Sequence, residues 1–283
     1  MFRVSRALYF LPLATALTLG QSCSYFAPKH DGDGKKPSGQ SLKQYKGEQP
    51  PPPADSKASS GKAATPAAAP VAAAPLSVNE MPMYNGTVKP FKERNIPYNI
   101  AQSQQMSRDA LKVAWTLLIQ YKDTKQSMAR FNQAWVCDPD NFEVYWGFGM
   151  VISARAFARG EDTAARLNEA THLLEKAAMM APKDTRVQLD LANVYNKLGY
   201  YYQAIDPESR EAATALSRGE GYARRVCMTE PKNGRAHFVY AGNLYYQKKY
   251  QEAWIQVKQA QDLQYQVPVK FIADLNSKMG EQQ

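Results

Sequence analysis

Histidine and cysteine carry most metal and nucleophilic chemistry, and this chain has three of each: His30, His172 and His237, and Cys23, Cys137 and Cys227. No histidine stands at a ligand spacing from another histidine or from a cysteine. No GxSxG, HExxH, phosphate-loop or GxGxxG pattern occurs either. The sequence therefore predicts a protein with no catalytic residue, no metal and no cofactor. What remains for its side chains is recognition, and the question becomes which elements present them.

The N-terminus bears on compartment. Arg3 and Arg6 precede an apolar run from Ala7 to Leu19, followed by Gly20, Gln21, Ser22 and then Cys23. This is the layout of an export leader, which makes residues 1–22 a signal peptide. The run is too short for a permanent spanning helix, which needs roughly 20 residues. The junction resembles a bacterial lipobox, and that resemblance implies a lipid on Cys23. Ser24, next to it, fits sorting to an outer membrane. Gly20 and Gln21 depart from the pattern, where Leu and a small residue are usual. Two outcomes stay open, a lipid-anchored protein and a freely soluble exported one; both are periplasmic.

Residues 27–80 hold half of the eighteen prolines and a single aromatic residue, Tyr45. Such a stretch cannot bury a core, and residues 23–80 are expected to be a disordered Pro/Ala/Lys-rich tether. The net charge of +9 would suit nucleic acid, but export argues against that partner. No apolar run suits a multi-pass membrane protein. All four tryptophans lie beyond residue 105, so the folded part is C-terminal.

There the chain repeats itself. The phrases VCDPDN, MAPKDT and MTEPKN carry Pro139, Pro182 and Pro231 as their fourth, third and fourth residues, at intervals of 43 and 49. After each proline comes a helical phrase: Tyr145, Phe148, Gly149, Ile152; Gln188, Leu191, Ala192, Tyr195; His237, Tyr240, Ala241, Leu244. Spacings of three, one and three put each set on one face. The small third residue lets two helix axes approach. Leu111, Ala114, Trp115 and Leu118 give the same pattern upstream. Before each proline, pairs such as Leu174 and Ala177 mark a second helix.

These phrases resemble tetratricopeptide repeats, the 34-residue helix–turn–helix unit. The last unit is the clearest, with Tyr250, Ala253, Val257 and Ala260 at its second-helix places. The resemblance implies an all-α fold over 105–283: a right-handed superhelix of paired antiparallel helices, closed by a capping helix from about Pro268 to Met279. Two units depart from it. Extra residues around Phe157–Arg166 lengthen one inter-helix connection, and Asp206-Pro207 reads as a helix start, with an elongated or two-part helix after it. In this register Cys137 and Cys227 end second helices two units apart, beyond the roughly 7 Å Cα limit for a disulfide. They are expected to be buried free thiols.

The family's first helices line a concave strip that binds a peptide or a partner helix. The resemblance puts Trp146, Met150, Arg186, Asn193, Asn196, Lys197, Arg235, Phe238 and Tyr245 on it as partner-binding residues. Asn and Arg offer donors and acceptors to a peptide main chain, and the aromatics offer pockets. Lys112 matches the chaperone-tail clamp of some members, but Thr116 and Gly147 stand where that clamp needs asparagines, so that ligand is excluded.

Residues 81–104 form a further segment. MPMYNGTVKPFKERNIPYNI is apolar and aromatic, and its three prolines forbid a regular helix. It is expected to act as an extended strap, lying in the domain's own groove or on a partner. The function expected is that of a non-enzymatic protein-protein interaction scaffold or adaptor of the cell envelope, in assembling a secretion, pilus or outer-membrane machine. The alternative is a cell-wall or glycan-associated accessory factor that modulates an envelope enzyme.

Overall fold

The computed structural model describes residues 76–94, 99–157 and 162–281. Within these residues the protein is all-helical and contains no strand. Three 3-10 turns come first, Val78–Glu80, Pro82–Gly86 and Phe91–Glu93. Nine α-helices follow: α1 Ile100–Ile119, α2 Thr124–Cys137, α3 Phe142–Arg155, α4 Thr163–Met180, α5 Thr185–Ile205, α6 Arg210–Thr229, α7 Gly234–Tyr246, α8 Tyr250–Asp262 and α9 Val269–Gly280.

Side-chain caps decide where most of these helices begin. Asn99, Asp123, Asn141, Asp162, Asp184, Ser209 and Asn233 each accept a main-chain N–H of the first turn of α1 to α7 in order. That satisfies donors a helix start would otherwise strand. Asn141, Asp184 and Asn233 are each the second residue after the proline of a repeated phrase. The residue six after each proline then reaches back to that proline's carbonyl. The Tyr145 hydroxyl does so at 2.8 Å, the Gln188 amide at 2.7 Å and a His237 ring nitrogen at 3.1 Å. Three chemically different side chains make one contact, which pins three turns in one geometry.

Each helix packs on the next, and alternate helices α1, α3, α5 and α7 also touch in series. Small residues make the crossings close. A Cβ on Gly149 would sit 2.6 Å from Leu174 Cγ and 3.0 Å from the Ala170 carbonyl, so α3 meets α4 there. On Gly219 it would sit 3.1 Å from the Ala192 carbonyl, where α6 meets α5. Ala241 is fully buried in one cluster with Ala253 and Val257 of α8. Phe131, Phe148, Leu167, Leu174 and Leu191 fill the core between the earlier helices. Leu275 of α9 is fully buried with the α7 and α8 residues, so the C-terminal helix covers their apolar edge.

Several boundaries differ from expectation. The first helix begins at Ile100, five residues before the anticipated start at 105, because Asn99 caps it. Val78–Glu80, assigned to the tether, belongs with the strap: Glu80 is buried, and both turns nearest it pack on α2. Asp206 does not start a helix. Its N–H donates to the Tyr202 carbonyl and closes α5, and Ser209 caps α6 instead. The elongation is shared by a pair of unbroken helices, α5 of 21 residues and α6 of 20, against 13 each for α7 and α8. The insertion near Phe157–Arg166 is divided between the connection after α3 and the first turn of α4. The strap packs on α2, a second helix, rather than along the first helices.

Both cysteines of the helical region are free. Cys137, the last residue of α2, is buried, and Cys227 near the end of α6 is half-buried. Burial raises both thiols, Cys227 to about 11, so neither is a ready thiolate nucleophile.

Candidate binding face

The first helices meet through polar side chains as well as apolar ones. Trp146 of α3 packs against Trp115 of α1, ring centroids 4.6 Å apart. Its indole N–H donates to Asp190 Oδ2 of α5 at 2.9 Å. The other Asp190 oxygen accepts from Arg235 Nη2 of α7. One buried carboxylate thus ties three helices, and its charge is met by a guanidinium. Arg186 lies 5.1 Å over the Trp146 ring and donates to both oxygens of Asp184, at 3.1 and 2.6 Å. Burial works against the Asp184 carboxylate, but bonds from Arg186 and from the first turn of α5 outweigh it and hold its pKa below the usual range.

A second row of ties lies nearer the helix C-termini. Lys197 donates to Ser153 Oγ at 2.9 Å, Asn196 Nδ2 to the Val239 carbonyl at 3.3 Å, and Gln203 to the Tyr246 carbonyl at 2.8 Å. On the far side of α5, Tyr195 donates to Glu175 at 2.5 Å and lies beside Arg218. Burial and the Glu175 carboxylate push its pKa up to about 12, with Arg218 pulling the other way.

Between the two rows α5, α7 and α9 meet around a crevice of about 20 Å³, room for about one water, lined by Asn193, Asn196, Arg235, Phe238, Val239, Gly242, Tyr246 and Phe271. Phe238 stacks on Tyr265 at 5.5 Å and meets the edge of Phe271 at 5.4 Å. A Cβ on Gly242 would come within 3.2 Å of Asn196 Nδ2, so glycine there keeps the amide close to α7. Asn196 Oδ1 is buried and has no hydrogen-bond partner among the described residues. A neighbouring cleft of about 410 Å³ opens at the N-termini of α5 and α7 and shares Arg235. Lys183, Arg186 and Arg235 face Asp184 and Glu230 there, so it is close to charge-balanced.

Of the nine residues expected to bind a partner, Asn193, Asn196, Arg235 and Phe238 come together in the first cleft, and Arg186 with Arg235 in the second. Trp146 and Met150 do not stand free. They are 7% and 8% exposed and serve packing between first helices, because the neighbouring helix pair covers them. Lys197 is spent on Ser153. Tyr245 is half-buried against Phe271 and Tyr250. Asp190 and Phe271 were not anticipated. Asp190 sits between Arg186 and Asn193 at helical spacing, a pattern that placed it on the same face; Phe271 carries no such signal. Cys23 and the leader lie outside the described residues.

Among the described residues no group of three or more His, Cys, Asp or Glu is arranged to hold a metal, and no helix is long and apolar enough to cross a membrane. Comparison with protein-family models and with curated proteins finds no match to this chain.

Proposed function

We propose that this chain is a tetratricopeptide-type interaction scaffold of a bacterial cell envelope, and that it binds an extended peptide or a partner helix on the face formed by α5, α7 and α9. The observation that carries the repeat reading is the triplicated turn, in which Asn141, Asp184 and Asn233 cap and Tyr145, Gln188 and His237 bond the proline carbonyls. Contact between alternate helices supports a superhelical stack with the first helices on its inner side. The half-buried Tyr246 and Phe271 supply an apolar surface on this face, and the adjoining charged cleft supplies polar groups.

The leader and the lipobox-like junction support export and a lipid on Cys23, with residues 23–75 as the tether that gives the domain reach. The role is that of an adaptor in envelope assembly, and it calls for no cofactor. Replacing Phe271 with a photoreactive residue in living cells, with Met179 at 82% exposure as an off-cleft control, tests the cleft. A protein crosslinked at Phe271 and not at Met179 is expected. Crosslinks to glycan alone favour the wall-associated accessory role, and equal yields at both positions overturn the cleft. Palmitate-analogue labelling that is lost in Cys23→Ala tests the anchor.

A further inference from the structure

The least ordinary backbone among the described residues lies in the strap. Met83, Tyr84 and Asn85 have φ of 52°, 50° and 50°, and Gly86 follows at 75°. For residues with a Cβ this left-handed region is crowded, and single residues visit it far more readily than runs of three. Such a run persists only where its surroundings hold it.

The holder is Asn132 of α2, which is fully buried. Its Nδ2 donates to the carbonyls of Asn79 at 3.2 Å and Met81 at 2.8 Å, and its Oδ1 accepts from the Tyr84 N–H at 3.3 Å. All three bonds go to main chain of another segment. Arg155 at the end of α3 adds a fourth, donating to the Glu80 carbonyl at 2.7 Å, and a bond to the Thr124 carbonyl at 2.5 Å fixes its own position. The Glu80 carboxylate folds back on Ser77, accepting from its N–H and its hydroxyl. Lys92 and Asp140 pair at 2.6 Å across the far end. Met83, Tyr84, Val88 and Phe91 lean on the core from outside.

We propose that the outer side of α2, read out by Asn132 and Arg155, is a peptide-binding site that the chain fills with its own residues 77–94, and that this strap is a latch able to leave as a unit. A buried asparagine whose bonding groups all serve foreign main chain has no task within its own helix. Without an occupant its three bonding groups would have only water to meet them. The occupant is held in turn against its own backbone preference, so retention rests on a few named contacts rather than on a continuous ladder. The ligand class follows from the spacing: a segment offering carbonyls two residues apart and an N–H three residues further on, as Asn79, Met81 and Tyr84 do. This inference does not depend on the cleft between α5 and α7.

Two variants of the full chain test it. Met83→Pro cannot adopt φ of 52° and breaks the occupant while leaving the reader intact; Asn132→Ala breaks the reader. Hydrogen exchange across 77–94 should rise at least about tenfold in each, with α5 to α8 unchanged. A labelled synthetic peptide of residues 76–94 should then bind Met83→Pro, and bind neither the wild type nor Asn132→Ala. Exchange rising equally in α5 to α8 would make the strap an inseparable part of the fold and overturn the latch. Peptide binding to Asn132→Ala, or none to a folded Met83→Pro, would overturn the site. Strap protection that depends on protein concentration in the wild type would show exchange between two copies and overturn the assignment to the same chain. If Asn132→Ala fails to fold, the Met83→Pro arm still decides.

Discussion

Asn132 on α2 and Asn196 on α5 are both buried amides on helices, yet their bonding groups are used in opposite ways. Asn132 gives two donor bonds and takes one, all with the strap. Asn196 gives one, to Val239, and its oxygen meets no partner among the described residues. A polar group removed from water costs free energy until it is matched. The first amide is therefore matched by this chain's own main chain, and the second ties α5 to α7 through a single bond.

The cleft side depends on charge, and its largest expected failure is Asp190→Ala. Removing that carboxylate takes the acceptor from the buried Trp146 indole N–H and one ion-pair partner from Arg235, and should lower stability by about 3 kcal/mol in urea unfolding. On the strap side, Asn132→Ala should cost about 2–3 kcal/mol from lost bonds and a small cavity. Gly149→Ala, in the crossing between α3 and α4, should cost about 1–2 kcal/mol through overpacking against Leu174. Asn196→Ala should cost less than Asn132→Ala, about 1 kcal/mol or below, since it loses one bond rather than three. Equal costs for the two asparagines would erase the contrast between the sites.

Tyr195 sharpens the comparison through pH. Its folded pKa of about 12 lies above its ordinary value of 10.0, so the folded state favours the protonated phenol. The resulting stabilisation is complete below pH 10 and is lost as pH rises through 12. Alkaline unfolding followed between those values should flatten in Tyr195→Phe, while the strap's exchange should be indifferent to that substitution.

Much of the helical layout was legible because its signals are local. Proline phrases, cap residues two places later and small residues at the crossings are all readable from neighbours in sequence, and they marked the starts of α3, α5 and α7 and the C-terminal helix α9. The start of α1 was hidden because Gln102, Ser103, Gln104 and Gln105 precede its first apolar stripe, although Pro97-Tyr98-Asn99 repeats the capping phrase. Asp206 misled because two cap residues stand three apart, and only the geometry selects Ser209, whose hydroxyl meets the Ala212 N–H. The binding residues were legible only in part. A helical pattern tells which side chains point away from their own pair, not which of these the next pair covers, and so Trp146 and Met150 were taken as free. The partner of Asn132 left no mark in sequence at all, since a side chain that bonds main chain asks nothing of the identity of the residues it meets.

The pinned turns also govern where the molecule can grow. Connections between pairs, at 138–141, 181–184 and 230–233, are each four residues long, whereas those within pairs range from three residues at 247–249 to seven at 156–162. Every extra turn of helix in α5 and α6 therefore projects from the same margin, about 12 Å past α7 at 1.5 Å per residue, and carries Ile205 out to 67% exposure. One selvedge of the stack is woven tight and the other is left loose. A graft between Asp206 and Ser209 would ride on that loose margin without shifting any helix in register, while the same graft after Pro182 would unpick the weave.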